Sequence, residues 1–335
     1  MKIATISHNN QNHVGLVHDG KVFLTHAIDN SIPNSLKEML EDWDMNKSKC
    51  QSIQASIVQG NHADKSLGFE EVSFQAPIPN PTSCRDGYAF RQHVAAARRN
   101  RGVEMIPEFD QYPIFYFTNH NAVQGPGDIL CMPDHFQKLD FELEAAVIIG
   151  KKGRNFTADQ ADDYIAGYCI MNDMSARLLQ MEEMKLNLGP AKGKDFSTVI
   201  GPWMVTPDEL EEYKIPAKEG HTGNNYDLGM KCWVNDVQVS EGNMGDMDWT
   251  FAEIIERCAY GTDVLPGDVI GSGTVGTGCF LELNGTGLFH DKNYKVQWLQ
   301  PGDVVDMEIE GLGRISNTMV LDKSDLSILS LKKNA

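Results

Sequence analysis

A mixed, mainly antiparallel β fold with peripheral helices, α+β in class, is what these 335 residues predict. Three observations carry that reading. Strand-like apolar runs are irregularly spaced, and helical stretches do not alternate with them as βαβ units would. Pro-Gly-Asp recurs at 126–128, 266–268 and 301–303. Proline followed by glycine suits a type II turn, and the second and third copies lead into Val269-Ile270 and Val304-Val305. The run Leu139-Asp140-Phe141-Glu142-Leu143-Glu144 alternates apolar and acidic residues at strand period, then continues as the wholly apolar Ala145-Ala146-Val147-Ile148-Ile149.

From the N-terminus, the runs 14–18 and 21–24 flank Asp19-Gly20, a strong hairpin signal. Ser35 with Glu38 fits a capping box that opens a short helix. Val72-Ser73-Phe74 is a strand candidate. Pro77, Pro79 and Pro81, in alternate positions, make a stiff linker. A domain boundary belongs there, with a small β-rich N-terminal domain over 1–75 and the main domain over 76–335. A helical stretch runs from Tyr88 to about Arg98, with Gly102 as its stop. Residues 165–170 read as a buried strand. Asp173 then stands at a strand-to-helix junction, and Arg177 and Gln180 share a face of the helix that follows. Asp248-Trp249-Thr250-Phe251 opens another helix, through about Ala259. Cys279-Phe280-Leu281-Glu282-Leu283 reads as a strand closed by a turn at Asn284-Gly285. Gly271-Ser272-Gly273-Thr274-Val275-Gly276 spells GxGxxG, but a following strand denies it the strand–turn–helix context of a dinucleotide site. Its glycines suit a tight loop approaching a ligand or another backbone.

The formal charge of −18 argues against a nucleic-acid-binding surface. Seven cysteines are scattered singly with no CxxC, which argues against a disulfide framework or a thiolate zinc site and fits a reducing cytoplasm. No signal-peptide core is evident at the N-terminus, and no apolar run reaches the ~18 residues of a membrane span, so a cytoplasmic protein without membrane contact is expected.

The acidic residues carry the chemistry. Glu142 and Glu144 point to one face of a strand that should be buried. Like charges there repel each other and resist desolvation. A divalent cation is the simplest compensation, and a solvated second face is the alternative. Asp173 is a third acid, with a helix N-cap as its ordinary role. Asp86 is a fourth. Four carboxylates, with no cysteine or histidine at ligand spacing, suggest a hard cation: Mg²⁺ by default, with Mn²⁺ or Ca²⁺ as alternatives. His93 follows Asp86 closely enough for both to sit near one end of a pocket. Glu282 faces either that pocket or solvent. Arg98-Arg99-Asn100-Arg101 is either a carboxylate-binding cluster or a solvated helix end.

Together these segments resemble the fumarylacetoacetate hydrolase family. The resemblance covers roughly residues 76 to 330 and rests on Asp86-x-Tyr88-x-x-Arg91-Gln92-His93, Leu139-Asp140-x-Glu142-Leu143-Glu144, Met171-Asn172-Asp173-x-Ser175-Ala176-Arg177-x-x-Gln180, Gly193-Lys194-x-Phe196 and the glycine run 271–276. It implies a fumarylacetoacetase-like β-sandwich roll with a small N-terminal domain, usually in a homodimer. It implies that Asp86, Glu142, Glu144 and Asp173 hold the metal, that His93 is the general base and that Glu282 orients it. Arg177, Gln180 and Lys194 then donate to a developing oxyanion, and Tyr88, Tyr116 and Thr274 contact substrate. The implied activity is metal-dependent hydrolysis of a carbon–carbon bond in a 1,3-diketo acid, fumarylacetoacetate or a 3-acylpyruvate, as in aromatic amino acid catabolism. The family's 2-oxo acid lyases (oxaloacetate-type decarboxylases, 2-oxo-alkenoate hydratases or isomerases) are the alternative. Met184 stands where fumarylacetoacetase carries a tyrosine, so substrate recognition is expected to differ more than the catalytic machinery.

Overall fold

The structure, a computed structural model, describes residues 1–333. The predicted hairpin forms. β1 (Lys2–His8), β2 (Gln11–His18) and β3 (Lys21–Leu24) are antiparallel, and Asp19 and Gly20 take φ of 45° and 71°, the left-handed pair of a two-residue I′-type turn. The helices α1 (Thr25–Ile28), α2 (Leu36–Glu41) and α3 (Trp43–Val58) follow, then the short strands β4 (Ser66–Gly68) and β5 (Ser73–Phe74). Helix α2 begins after Ser35 as predicted, yet the Ser35 side chain makes no cap and the box with Glu38 does not form. Burial of Leu36, Met39 and Leu40 holds this helix instead.

Beyond the linker come β6 (Cys84–Gly87), α4 (Arg91–Arg99), β7 (Phe115–Thr118), β8 (Val123–Gln124), β9 (Gly127–Cys131), β10 (Leu139–Asp140) and β11 (Leu143–Ile149). Next are α5 (Ala158–Ala161), β12 (Ile165–Asp173), β13 (Ser175–Ala176), α6 (Arg177–Glu183), β14 (Thr198–Val205), β15 (Lys214–Ile215), β16 (Asn225–Tyr226), β17 (Gly229–Val234) and β18 (Val237–Asn243). The chain closes with α7 (Phe251–Ala259), β19 (Val269–Gly271), α8 (Phe280–His290), β20 (Val304–Ile309) and β21 (Gly313–Leu321).

One sheet of twelve strands runs β4-β3-β2-β1-β14-β12-β11-β19-β6-β7, with β5 on β1 and β8 on β14. A sheet of five runs β18-β17-β20-β21-β9. Pairing is antiparallel except at β8/β14, β6/β19 and β9/β21. The sheets pack over one core, where Val147, Tyr168 and Ile170 of the larger meet Met230, Met307 and Ile315 of the smaller. This is the mixed, mainly antiparallel sandwich with peripheral helices that the sequence predicts. Beyond Glu144, β11 is apolar on both faces because both are covered. Val147 and Ile149 face the smaller sheet, while Ala146 and Ile148 join the cluster under α2 and α3. Each fully buried valine or isoleucine there contributes roughly 1.5–3 kcal/mol of transfer free energy.

The linker at 76–81 is irregular, but sheet and core are continuous across it. Lys2 and Ile3 of β1 pair with Val205 and Met204 of β14. Met1, Ile3 and Trp43 share a cluster with Ala146, Ile148 and Met171. Residues 1–75 are therefore a lobe laid onto the main sheet.

Two elements differ from expectation. α4 starts at Arg91 rather than Tyr88, because the Asp248 carboxylate accepts the Arg91 N–H at 2.8 Å and fixes the first turn there. The segment 279–283, expected as a strand, opens α8. The N–H groups of Phe280 and Leu281 donate to the Asp140 carboxylate at 2.8 and 2.9 Å, and Cys279 Sγ accepts from Glu282 N at 3.5 Å. Asn284 is held inside the helix by exchanging hydrogen bonds with the Gln297 backbone at 2.7 and 2.9 Å. A carboxylate far away in sequence supplies this helix start, and the local pattern carries no trace of it. No helix among the described residues is long and apolar enough to cross a membrane.

Candidate active site

The central strands of the large sheet end at one cleft. Asp86 on β6, Glu142 between β10 and β11, Glu144 on β11 and Asp173 at the end of β12 are buried, and one oxygen from each lies within 4.8 Å of the others. Register explains the meeting. Asp86 and Ala146 both pair with Gly271 of β19, the strand between β6 and β11, and Glu144 pairs with Met171 on β12. A Cβ on Gly271 would stand 2.5 Å from Asp86 Oδ1 and 2.9 Å from Glu144 Oε2, so only a glycine lets the two carboxylates close over it. Gly273 N donates to the same two carboxylates at 3.0 and 3.1 Å. The glycine run does lie between a strand and a helix, contrary to the expected strand on its far side. It is still no dinucleotide turn, because its amide points at carboxylates where a pyrophosphate would need to sit. Asp173 caps no helix; Ala176 is the N-cap of α6.

The site's electrostatics are those of a cage short of positive charge. Burial, and then the charge of Asp173, push the Asp86 carboxyl up to about 7. Burial and Asp86 raise Glu144 well above the usual carboxylate range. Burial also raises Asp173, with Lys194 opposing it. Glu142 goes the other way: burial works against its charge, but Arg177 and Lys194 outweigh it and hold the carboxyl low. Lys194 in turn stays protonated despite its burial, because Asp173 and Glu142 face it. Asp173 Oδ1 is buried with no hydrogen-bond partner. An orphaned carboxylate oxygen in a four-oxygen set fits a hard divalent cation, and all four acids can hold one.

The donors expected to serve an oxyanion sit around this cage. Lys194 Nζ bonds Glu142 and, at 2.7 Å, Asp173. Arg177 uses all three nitrogens: Nε on Asp140 at 2.8 Å, Nη2 on Glu142 at 2.8 Å and Nη1 on Gln180 Oε1 at 3.0 Å. Gln180 thereby keeps its NH₂ group for a ligand. Tyr116 donates to Asp173 at 2.5 Å, and Thr274 donates to Glu144 at 3.4 Å, so both also brace the cage.

His93 lies on α4 and Glu282 on the first turn of α8, with His93 Nδ1 2.6 Å from Glu282 Oε2. Tyr88 meets the imidazole edge-on, with centroids 6.0 Å apart. One His93 nitrogen comes within 4.8 Å of a Glu142 oxygen, so base and cage open into the same cleft. That cleft has a volume of about 870 Å³. Glu144 and Asp173 form its sealed floor, and the other ten predicted site residues line it. Its outer wall is apolar, with Met181, Met184, Leu281, Leu288, Val296 and Trp298. Arg98 and Arg101 border the cleft, while Arg99 turns away to Thr286 at 2.9 Å.

Sequence reasoning passed over three residues. Asp140 accepts from Arg177, Phe280, Leu281 and Phe141, tying α6 and α8 to β10. Strand period placed it on the face of Glu142, the one signal that could have found it. Asn172 Oδ1 accepts the Glu142 N–H at 3.1 Å. Cys279 Sγ lies within 4.8 Å of His93 and Glu142, and no spacing rule links residues so distant in the chain.

A four-carboxylate cage sharing a cleft with a buried histidine–glutamate pair defines a pocket of the metal-and-base class. Residues 82–320 match the family described as fumarylacetoacetate (FAA) hydrolase C-terminal, and the chain belongs to that family, whose members are enzymes. It is 30% identical to a mitochondrial oxaloacetate tautomerase of Xenopus laevis over 90% of this chain and 83% of the relative. It is 29% identical to oxaloacetate tautomerase YisK of Bacillus subtilis over 95% of this chain and 99% of the relative. The fold matches maleylpyruvate hydrolase from Sphingobium sp. SYK-6, solved in complex with manganese(II) and pyruvate, with a TM-score of 0.69 and 20% identity over 96% of this chain and all of that one.

Proposed function

We propose that this chain is a metal-dependent tautomerase of an oxaloacetate-type 2-oxo acid, moving a proton between the carbon beside the ketone and the ketone oxygen. One observation carries the reading: a histidine nitrogen, its ring fixed by a carboxylate, lies within 4.8 Å of an oxygen of the four-acid cage. The relatives named as oxaloacetate tautomerases support it over nearly the whole chain. A divalent cation held by Asp86, Glu142, Glu144 and Asp173 would act as template and Lewis acid, acidifying the proton beside the carbonyl. His93, with Nδ1 held by Glu282, uses its other nitrogen to take that proton. Lys194 and the Gln180 amide donate to the oxygen that gains negative charge, a kind of contact worth roughly 2.7–4 kcal/mol per donor in hydrolases. His93 then returns the proton to that oxygen, and the enol leaves. Arg98 or Arg101, at the rim, is placed to meet a second carboxylate.

A second reading has its own observation. The apolar outer wall is larger than oxaloacetate requires and suits the tail of a 3-acylpyruvate. His93 would then activate water, and the carbon–carbon bond would be hydrolysed. The test follows keto–enol interconversion of oxaloacetate and loss of diketo absorbance from acetylpyruvate, each with Mg²⁺, Mn²⁺ or EDTA. Cation-dependent tautomerisation that collapses in His93→Gln is expected. Diketone cleavage without tautomerisation would replace the first reading with the second.

A further inference from the structure

The cleft holds a second ligand set. One nitrogen of His93, one oxygen of Glu142 and Cys279 Sγ lie within 4.8 Å of one another, and all three residues are buried. We propose that these side chains form a second cation site that shares Glu142 with the cage, is selective for a thiophilic divalent ion of the zinc class, and switches the enzyme off when filled by engaging His93, the proposed base. The inhibition rests on the function proposed above; the binding does not.

The donor types separate the two sites. The cage is all oxygen and suits hard cations, whereas nitrogen, sulfur and one carboxylate suit zinc. Each donor is already oriented. His93 Nδ1 is engaged by Glu282 at 2.6 Å, which leaves Nε2 free. A zinc-bound histidine characteristically gives its other nitrogen to a carboxylate in this way. Cys279 Sγ is held by the backbone N–H of that same Glu282 at 3.5 Å, so one turn of α8 sets two of the three ligands. Glu142 is fixed by Arg177 at 2.8 Å and by Lys194, and its oxygens keep further lone pairs. With metal–ligand bonds of about 2.0–2.3 Å, tetrahedral donors stand roughly 3.5 Å apart, so side-chain adjustments of about 1 Å close the set. His93 and Glu142 line the cleft, which gives the ion its way in. Binding converts the Cys279 thiol to a zinc thiolate and releases one proton; no electrons move.

The test titrates the full-length protein with Co²⁺ under saturating Mg²⁺. Thiolate-to-cobalt absorption should saturate at one equivalent, disappear on adding Zn²⁺, and be missing from Cys279→Ser, whose hydroxyl can still cap α8. X-ray absorption of the zinc-loaded wild type, which needs no variant, should find one sulfur at about 2.3 Å. Under turnover, Zn²⁺ should inhibit the wild type at concentrations at least ~10-fold lower than Cys279→Ser, each measured against its own zinc-free rate. Absence of both the cobalt absorption and the sulfur neighbour, or equal zinc sensitivity in the two proteins, would overturn the proposal. Missing tautomerase activity with the spectroscopic site intact would count against the proposed function alone.

Discussion

The cage and the base are built from different materials. Three of the four acids ride on β6, β11 and β12, where hydrogen-bond registers on both sides fix the backbone. The base and its partner ride on α4 and α8, two helices at the cleft's edge whose first turns are held by the Asp248 and Asp140 carboxylates, outside the large sheet. Strand ladders leave a side chain little freedom of position, whereas a helix can tilt as one body. The floor is thus suited to what every 2-oxo acid shares, its chelating head. The helical wall, with its methionines and leucines, is suited to what distinguishes one acid from another.

Breaking the floor should have the largest effect. Glu144→Gln removes a buried ligand, so Mn²⁺ binding by calorimetry should weaken by more than ~100-fold, beyond the loss seen for outer-shell partners, and cation-dependent turnover should vanish with it. Breaking the wall alone should separate the two functions. His93→Gln should lower kcat by ~10²–10⁴-fold while the Mn²⁺ isotherm stays that of the wild type. A parallel fall in affinity would mean that floor and wall are one unit.

Asp140→Asn cuts the tie between them. It leaves Arg177 and the start of α8 short of a buried charge partner, and urea unfolding should show a loss of about 3–5 kcal/mol. The pH dependence sharpens the comparison further. The Asp86 carboxyl stands at about 7 in the fold against an ordinary 3.8, and Glu144 and Asp173 shift the same way. Groups raised in the folded state favour folding while protonated, so the contribution of these three is lost as pH rises from about 4 through 7, whereas Glu142, held low, keeps its contribution throughout that range; cation-free stability should therefore decline between about pH 5 and 7. Thermal unfolding in EDTA should show that decline and Mg²⁺ should remove it; an EDTA profile flat with pH would contradict the cage as described. The smallest effect belongs to the outer wall. Met184→Tyr should shift kcat/KM between oxaloacetate and acetylpyruvate by less than ~10-fold.

The floor was legible in the sequence because its information is local. Alternation in 139–144 puts Glu142 and Glu144 on one face, and the wholly apolar continuation of the strand over 145–149 points to burial of that face. The helix read from 248–251 to about Ala259 is α7, and its start is likewise set locally, by a capping box between Thr250 and Glu253 that the sequence reading did not name. What stayed hidden was set at long range. A short apolar run such as 279–283 is compatible with strand or helix, and the choice was made by Asp140 across the fold. At Ser35 the helix begins where the pattern puts it, but the box does not form and packing of Leu36, Met39 and Leu40 holds the helix instead. The proline-rich linker marked a change in chain character, but no local feature could tell that β1 would dock on β14.

That docking bears on anyone wishing to trim the protein to its catalytic half. β14 lies between β1 and β12, and β12 carries Asp173. Deleting residues 1–75 would strip the partners from Lys2↔Val205 and Ile3↔Met204 and leave a bare, apolar strand margin one ladder away from the cage. Such a fragment should precipitate or pair with itself along that margin, because the N-terminal lobe covers the edge of the sheet it completes.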